Sequence, residues 1–172
     1  MKTLILSSSL SSTSQSRQLC GRAADLLGAH PGVAVDFVDL RETELRPCHL
    51  GKTPSMRELA QRIAAADNFI FGMGVHCYTV NDGLKIVLDT CMQACEGKFF
   101  GIICAAGGEK SYLSTMHLTQ ICMNEWRMIQ LPRVVYATDG DFQDGSLASV
   151  AVEERLALFA QEFTDIGRKL LA

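Results

Sequence analysis

Several features that would place a chain outside the ordinary globular proteins are missing from these 172 residues. There are only four prolines and no low-complexity tract, which excludes a collagen-like rod and a disordered tail. The seven cysteines are odd in number and include no C-x-x-C pair, which excludes a disulfide-stapled miniprotein. No apolar run approaches the ~18 residues of a membrane-spanning helix. The composition therefore predicts one globular domain over residues 1–172, without a membrane partner.

An excess of charge of one sign is also missing. The formal net charge of −3 argues against a nucleic-acid binder, which would carry a basic face. Most cysteines lie in apolar stretches, so we expect them to be reduced core residues of a cytoplasmic protein. Cys91 and Cys95 lie one helical turn apart, but no second pair has matching spacing, and no metal site is predicted. The apolar run near the N-terminus is too short for a signal peptide.

Short apolar runs alternate with longer amphipathic segments along the chain. The runs are typical of buried parallel strands, which we predict at residues 3–7, 33–39, 68–74, 99–105 and 134–138. Between them, apolar residues recur at three- and four-residue steps, which predicts helices at residues 16–27, 55–66, 81–95, 112–129 and 148–171. Strand–helix units in succession predict one parallel sheet with helices on both faces.

The predicted helix at residues 112–129 is apolar around most of its girth, which indicates burial on more than one side. A partner subunit would cover such a helix, so we expect a homodimer or homotetramer. The alternative is cover by a neighbouring helix or by residues 130–144. Residues 40–54 form the longest irregular segment and are expected to act as a mobile flap.

Hydroxyl groups dominate the loop between the first predicted strand and the first predicted helix. Eight of the ten residues from Ser7 to Ser16 carry a hydroxyl. Hydroxyls and the free amide groups of a helix start together form a receptor for phosphate. The alternative is a flexible serine-rich turn with a single N-cap. No G-x-x-x-x-G-K-[ST] motif is present, which argues against a nucleoside triphosphate as the ligand.

Two further loops follow strands at the predicted ligand-binding edge of the sheet. Gly72 and Gly74 would let the backbone approach a flat ligand closely, with His76 and Tyr78 as its walls. The alternative is that His76 and Tyr78 are ordinary loop residues. Residues 105–110 have the same small-residue character. An anion site beside two flat surfaces predicts a mononucleotide with a large aromatic head, and FMN is the obvious candidate.

The first loop resembles that of the NAD(P)H-dependent FMN reductase family, a branch of the flavodoxin-like superfamily. In that family the motif G-S-x-R-x-x-S-x-[NST] holds the FMN phosphate, and Ser9, Ser14 and Ser16 match its phosphate-binding positions. Ser11 replaces the family arginine, which removes a charge-assisted contact worth about 1.5–3 kcal/mol. Arg17, in the first turn of the predicted helix, would compensate if its side chain folded back onto the loop.

The other two loops resemble the same family. Its second motif, T-P-x-Y-N-x-S-x-P-G-x-L-K-N-x-L-D, is matched by the L-K and L-D pairs within residues 84–89. Gly74, His76 and Cys77 stand where the family's proline, tyrosine and asparagine contact the isoalloxazine ring. Residues 106–108 resemble the S-G-G segment that lies beside the ring.

The resemblance implies a flavodoxin-like fold, which is a three-layer α/β/α sandwich around a five-stranded parallel sheet of order 2-1-3-4-5. It implies FMN as cofactor and NAD(P)H as substrate, with hydride passing through the flavin to a small acceptor such as a flavin, a quinone, an azo compound or a metal oxyanion. No catalytic side chain is implied, because the cofactor carries the chemistry. The implied cofactor-binding residues are Ser9, Ser11, Ser14, Gln15, Ser16, Gly74, Val75, His76, Cys77, Tyr78, Ala106, Gly107 and Gly108.

Two other functions stay open at the level of the sequence. A flavodoxin-like electron carrier would bind FMN without a nicotinamide site, although carriers are markedly acidic around the flavin. A flavin-free scaffold or sensor of the same fold would explain the departures from the loop motifs. The residues do not distinguish NADH from NADPH.

Overall fold

The computed structural model describes residues 1–172 and places strands where the apolar runs predict them. The strands are, in chain order, β1 (Lys2–Ser7), β2 (Ala34–Asp39), β3 (Asn68–His76), β4 (Thr79–Val80), β5 (Phe99–Ala106), β6 (Ile129–Gln130), β7 (Val135–Thr138), β8 (Phe142–Gln143) and β9 (Ser146–Leu147). The main sheet is parallel in the order β2-β1-β3-β5, with β6 and β7 both pairing with β5. Short β4 folds back on the end of β3, and β8 and β9 form a separate hairpin.

The fifth position of the sheet is divided between β6 and β7. The first of these strands pairs with the beginning of β5, and the second pairs with its end. Pro132 lies between them and has no N–H to donate, so the ladder is interrupted there. The predicted order 2-1-3-4-5 is confirmed, with its last strand in two pieces.

Five α-helices cover the sheet, namely α1 (Gln15–Gly28), α2 (Pro54–Ala65), α3 (Asp82–Cys91), α4 (Thr115–Trp126) and α5 (Val150–Leu171). Hydroxyl side chains cap three of them, because Ser14, Thr53 and Ser149 each accept a hydrogen bond from an amide in the first turn. The third and fourth helices are shorter than predicted. Arg127 takes a left-handed conformation with φ of 52° and ends α4.

Two hydrophobic layers make the predicted three-layer sandwich. On one face, β-strand residues such as Leu4 and Leu6 pack with apolar residues of α2, α3 and α4. On the other face, Ile5 and its neighbours pack with α1 and α5. The alternation of Leu4, Ile5 and Leu6 between the faces follows from the two-residue period of a strand. The sheet is therefore buried on both sides, as its nearly continuous apolar runs predict.

The fourth helix is only partly covered within the chain. Leu118 and Cys122 are buried against the core, whereas Met116 and Met123 are 54% and 49% exposed. Ile129, just beyond the helix, is also exposed. Cover by a neighbouring helix or by residues 130–144, the alternative considered from the sequence, does not reach these side chains. The chain thus leaves an apolar strip along α4.

The cysteines are less uniform than expected. All are free, and Cys20, Cys91, Cys95, Cys104 and Cys122 are buried. Burial raises the pKa of the Cys104 thiol to about 12, as expected of an inert core residue. Cys48 and Cys77 are exposed, so the prediction of core cysteines is wrong for these two. Both lie in irregular or turn backbone, which places the side chain at the surface. None of the helices combines the length and apolar character needed to cross a bilayer.

Candidate functional site

A buried polar lock joins the first loop to the start of α3. The Ser8 hydroxyl lies 2.6 Å from the Gly72 carbonyl oxygen and 2.8 Å from Asn81 Oδ1. In return, Asn81 Nδ2 donates to the Ser8 carbonyl oxygen at 2.8 Å. Gly83 permits this approach, because a Cβ there would lie 2.9 Å from the Ser8 carbonyl oxygen. The lock fixes where the hydroxyl-rich loop leaves the sheet.

The first loop and the start of α1 surround a cavity of about 320 Å³, the phosphate-end cavity. Ser11 Oγ and Thr13 Oγ1 lie 3.3 Å apart on its wall, and the Ser14 and Ser16 hydroxyls lie 3.1 Å apart. Its lining residues are Ser9, Ser11, Thr13, Ser14, Gln15, Ser16, Gly74, Val75, His76, Ala105, Ala106, Gly107 and Asp139. Hydroxyls thus cluster at the point where α1 begins.

The α1 N-terminus offers free amide groups to this cavity. The Ser14 hydroxyl accepts from the Arg17 amide at 3.1 Å, and the Ser14 carbonyl accepts from the Gln18 amide at 3.4 Å. The amides of Gln15 and Ser16, ahead of them in the first turn, have no such partner. Two unpartnered N–H groups at the positive end of a helix dipole are suited to bind an anion.

No arginine or lysine lines the phosphate-end cavity. Arg17 does not fold back onto the loop, because its Nε donates to Asp39 Oδ2 at 2.7 Å. The suggestion that Arg17 compensates for Ser11 is therefore wrong. The other charged group at the cavity is the exposed carboxylate of Asp139. A phosphate here would be held by hydroxyls, amides and the helix dipole.

Asp39 stays ionised and occupies two arginines at the end of β2. Its side chain is 4% exposed and lies 2.7 Å from Arg17 Nε and 2.6 Å from Arg41 Nη2. Burial alone would raise the pKa of Asp39, but the hydrogen bonds from Arg41 and Arg17 outweigh it and lower the pKa to about 2. The carboxylate therefore pulls both guanidinium groups to the β2 side of the loop.

A second cavity of about 560 Å³, the ring-end cavity, continues from the first. The two share Val75 and Gly107, and the second is also lined by Cys77, Tyr78, Gly108, Glu109, Lys110 and Ser111. Small residues at these positions keep the strand ends open to a flat ligand. Both volumes lie within the range of about 300–1,000 Å³ usual for small-molecule sites.

One wall of the ring-end cavity is a tight hairpin between β3 and β4. Cys77 and Tyr78 form its two-residue turn, with φ of 47° and 61°. Such a turn favours asparagine and glycine, because other residues are strained at positive φ. Tyr78 is 64% exposed at the mouth of the cavity. A strained turn thus presents an aromatic ring beside the site.

The opposite wall is the third loop, which is held by Tyr136 of β7. The Tyr136 hydroxyl donates to the Gly108 carbonyl oxygen at 2.6 Å and lies 2.9 Å from Ser111 Oγ. The Tyr112 ring meets the Tyr136 ring edge-on, with centroids 5.1 Å apart. Burial raises the pKa of Tyr136, so its hydroxyl stays protonated and available as a donor near neutral pH.

The structure brings all the residues proposed from the sequence to these two cavities. Cys77, Tyr78 and Gly108 line the ring-end cavity, and the others line the phosphate-end cavity. Sequence analysis missed Thr13, Asp139, Ser111 and the Tyr136 support. A usable signal existed for Asp139, because it follows the last parallel strand, whose carboxyl end lies at this same edge.

The model of the NADPH-dependent FMN reductase family matches residues 1–143 of the chain. No curated protein gives a significant sequence match. Among solved structures, an oxidoreductase from Corynebacterium diphtheriae is 18% identical with a TM-score of 0.76, over 98% of this chain and 97% of that one. A flavoenzyme NAD(P)H:acceptor oxidoreductase from Paracoccus denitrificans is 15% identical with a TM-score of 0.76, over 98% and 97%. RosB, solved with a bound formyl derivative of riboflavin phosphate, is 14% identical with a TM-score of 0.78, over 99% and 80%. These structures share the fold.

Proposed function

This chain belongs to the NADPH-dependent FMN reductase family, and from that premise we propose that it passes hydride from NAD(P)H through FMN to a small acceptor. The acceptor classes we propose are a flavin, a quinone, an azo compound or a metal oxyanion. The observation that carries the proposal is the continuity of a hydroxyl- and amide-lined cavity with a glycine-walled one along one sheet edge. An anionic headgroup and a flat ring joined by a short chain fit this pair of cavities.

In the proposed complex, the residues of the first loop bind the phosphate. The free amides of Gln15 and Ser16 and the hydroxyls of Ser9, Ser11 and Thr13 donate to its oxygens. Because an arginine is missing and Asp139 stands at the rim, we expect affinity about ten- to a hundredfold below that of an arginine-containing loop. The cofactor would then exchange readily with solution.

Gly107, Gly108 and Val75 would orient the ring, and Tyr78 would shield one end of it from water. When bound, FMN supplies the redox chemistry by accepting hydride from the nicotinamide and passing electrons to the acceptor. The chain's part is to hold two rings face to face at a fixed position. The titratable groups around the cavities, Glu109 and Asp139 among them, are exposed, so solvent can supply any proton that the acceptor needs.

We further propose that the protein is a homo-oligomer of the cytoplasm. The exposed strip of Met116 and Met123 along α4 supports a homodimer or homotetramer, because monomers rarely leave such strips uncovered. The cysteines are all free, and five of them are buried, which suits a reducing compartment. No nucleic-acid partner is proposed for a chain with a net charge of −3.

Binding of FMN and of riboflavin, compared by fluorescence titration, tests the phosphate site. Wild-type protein should bind FMN at least tenfold more tightly than riboflavin. The double variant Ser9→Ala/Thr13→Val should lose that preference. Ser12→Ala is the matched control, because Ser12 belongs to the same loop but does not line the cavity. Equal affinity of the wild type for FMN and riboflavin would refute the phosphate site.

Steady-state oxidation of NADPH and NADH, with and without added FMN, tests the activity. We expect FMN to stimulate oxidation of at least one of the two. FMN binding without any such stimulation would instead support an electron carrier. Absence of FMN binding would support a flavin-free scaffold or sensor.

A further inference from the structure

A third cavity of about 380 Å³ lies on the other flank of the first loop. It is lined by Leu10, Ser12, Leu40, Arg41, Thr43 and Leu45, so it sits between the first loop and the segment that follows β2. Ser9, Ser11 and Thr13 face the phosphate-end cavity, whereas the alternate residues Leu10 and Ser12 face this one. One stretch of backbone therefore separates the two cavities.

The third cavity lies within reach of the ring-end cavity. It stands over the gap between β2 and β1, and the ring-end cavity stands over the gap between β3 and β5. Neighbouring strands are about 4.8 Å apart, so the two gaps are separated by about 10 Å along the edge. A dinucleotide, which has two riboses and a pyrophosphate between its bases, spans that distance.

Arg41 gives the third cavity a charge that the other cavities lack. Its Nε lies 3.0 Å and its Nη2 2.6 Å from Asp39 Oδ2, which fixes the plane of the guanidinium. Its third nitrogen, Nη1, makes no hydrogen bond within the chain, and the side chain is 30% exposed. Two arginines share the single carboxylate of Asp39, which leaves this corner with one net positive charge. A dianionic group would find an oriented donor here.

The remaining lining suits a nucleoside. Leu10 is 48% exposed on the loop, and Leu40 and Leu45 lie across the cavity from it. Apolar side chains of this kind can cover the faces of a purine base, and the hydroxyls of Ser12 and Thr43 can bond to a ribose or a phosphate. A cavity with apolar walls, hydroxyls and one oriented arginine matches a phosphorylated adenosine.

We propose that the third cavity binds the adenosine end of the nicotinamide dinucleotide, with Arg41 on the 2′-phosphate, and that the protein therefore prefers NADPH to NADH. This inference rests on the proposed function, because the nicotinamide end must reach the flavin. The structural basis is nevertheless separate, since none of the residues lining this cavity lines the phosphate-end or ring-end cavity.

Isothermal titration calorimetry on the full chain tests the subsite without any turnover. The probes are adenosine 2′,5′-bisphosphate, 5′-AMP and inorganic phosphate, and the variants are Arg41→Ala and Arg46→Ala. Arg46 is the matched control, because it lies on the same segment and pairs with Glu44 at 2.6 Å but does not line the cavity. Asp39 keeps its bond to Arg17 in Arg41→Ala, so we expect that variant to fold.

Wild type and Arg46→Ala should bind the bisphosphate about tenfold more tightly than 5′-AMP, and Arg41→Ala should bind the two equally. In kinetic assays with FMN, kcat/KM for NADPH should fall about tenfold in Arg41→Ala, while the value for NADH changes less than twofold. Equal binding of the bisphosphate by wild type and Arg41→Ala would overturn the inference. Inorganic phosphate binding as tightly as the bisphosphate would overturn it too. Arg41-dependent binding of the bisphosphate, in a protein that oxidises neither dinucleotide with FMN, would support the subsite and contradict the proposed function.

Discussion

Asn81 grips both the side chain and the backbone of Ser8. Its Oδ1 lies 2.8 Å from the Ser8 hydroxyl, and its Nδ2 donates to the Ser8 carbonyl oxygen at 2.8 Å. Both residues are buried, with exposures of 1% and 0%. The pair ties the end of β1 to the start of α3, and the two ligand-binding loops thereby move as one unit.

Replacing Asn81 by alanine should destabilise the protein and weaken FMN binding together. The change leaves the buried Ser8 carbonyl without its donor, which costs about 1–3 kcal/mol. Urea unfolding and FMN titration measure the two effects. Asn124→Ala is the control, because Asn124 is exposed on α4. Unchanged unfolding of Asn81→Ala would contradict the role of the lock.

Asp39 should give the protein a component of stability that acid removes. Its pKa is lowered to about 2 in the folded state, below the ~3.9 of an unfolded chain. The ionised carboxylate therefore stabilises the fold fully above about pH 4, and this component is lost as the pH falls towards 2. Asp39→Asn should be less stable than wild type at pH 7, and the two should converge at low pH.

Urea unfolding from pH 7 to pH 2 measures that convergence. Asp89→Asn is a suitable control, because Asp89 forms an exposed pair with Lys85 along α3 that contributes about 0.5 kcal/mol or less. A constant difference between Asp39→Asn and wild type over the whole pH range would contradict the linkage.

Restoring an arginine in the first loop should strengthen FMN binding. In Ser11→Arg the new guanidinium would meet the phosphate in a cavity that now holds no arginine or lysine. We expect affinity for FMN to rise about tenfold and affinity for riboflavin to stay constant. Ser11→Gln controls for side-chain length without charge. A parallel gain for riboflavin would show that the added side chain acts on the ring.

Tyr136→Phe should affect the ring end of the site and spare the phosphate end. The change removes the hydroxyl that donates to the Gly108 carbonyl, a bond worth about 1 kcal/mol. Affinities for FMN and riboflavin should therefore fall by the same factor of about five, with a shifted flavin absorbance spectrum. Tyr112→Phe is the control, because the Tyr112 hydroxyl makes no hydrogen bond within the chain. A selective loss for FMN would place the effect at the phosphate.

Charges on the exposed strip of α4 should dissociate the oligomer. Met116→Glu/Met123→Glu places carboxylates on the apolar face, and light scattering should then report monomers instead of dimers or tetramers. Leu158→Glu is the control, because Leu158 is similarly exposed on α5. A monomeric wild type would refute the proposed interface.

The hydroxyl-rich loop illustrates how far a sequence reaches. Ser14 is recognisable as a helix cap because hydroxyl residues cap helices through their own backbone neighbours, and the structure confirms that role. The direction of Arg17 was mistaken, because it depends on Asp39, which the parallel pairing of β1 and β2 brings alongside. A local pattern predicts local partners, whereas a long side chain chooses among whatever the fold brings near.

The two exposed cysteines make the same point from the other direction. Cys77 sits in an apolar stretch and was expected in the core, yet it occupies the turn between β3 and β4 at positive φ. Hydropathy averages over neighbours and cannot see that β3 ends at His76 and reverses. The hairpin forms because β4 pairs with β3, which is a tertiary choice.

The sequence by itself determined the succession of strands and helices, the layered architecture and the loops at the binding edge. It could do so because continuous apolar runs must be buried on both faces, and such runs can only be parallel strands covered by helices. Only the tertiary structure decided which side chains face each cavity: Asp139 at the phosphate end, Tyr136 behind the third loop, and Arg41 in the third cavity. Those positions depend on strand order and register, which bring together residues that lie far apart in the chain.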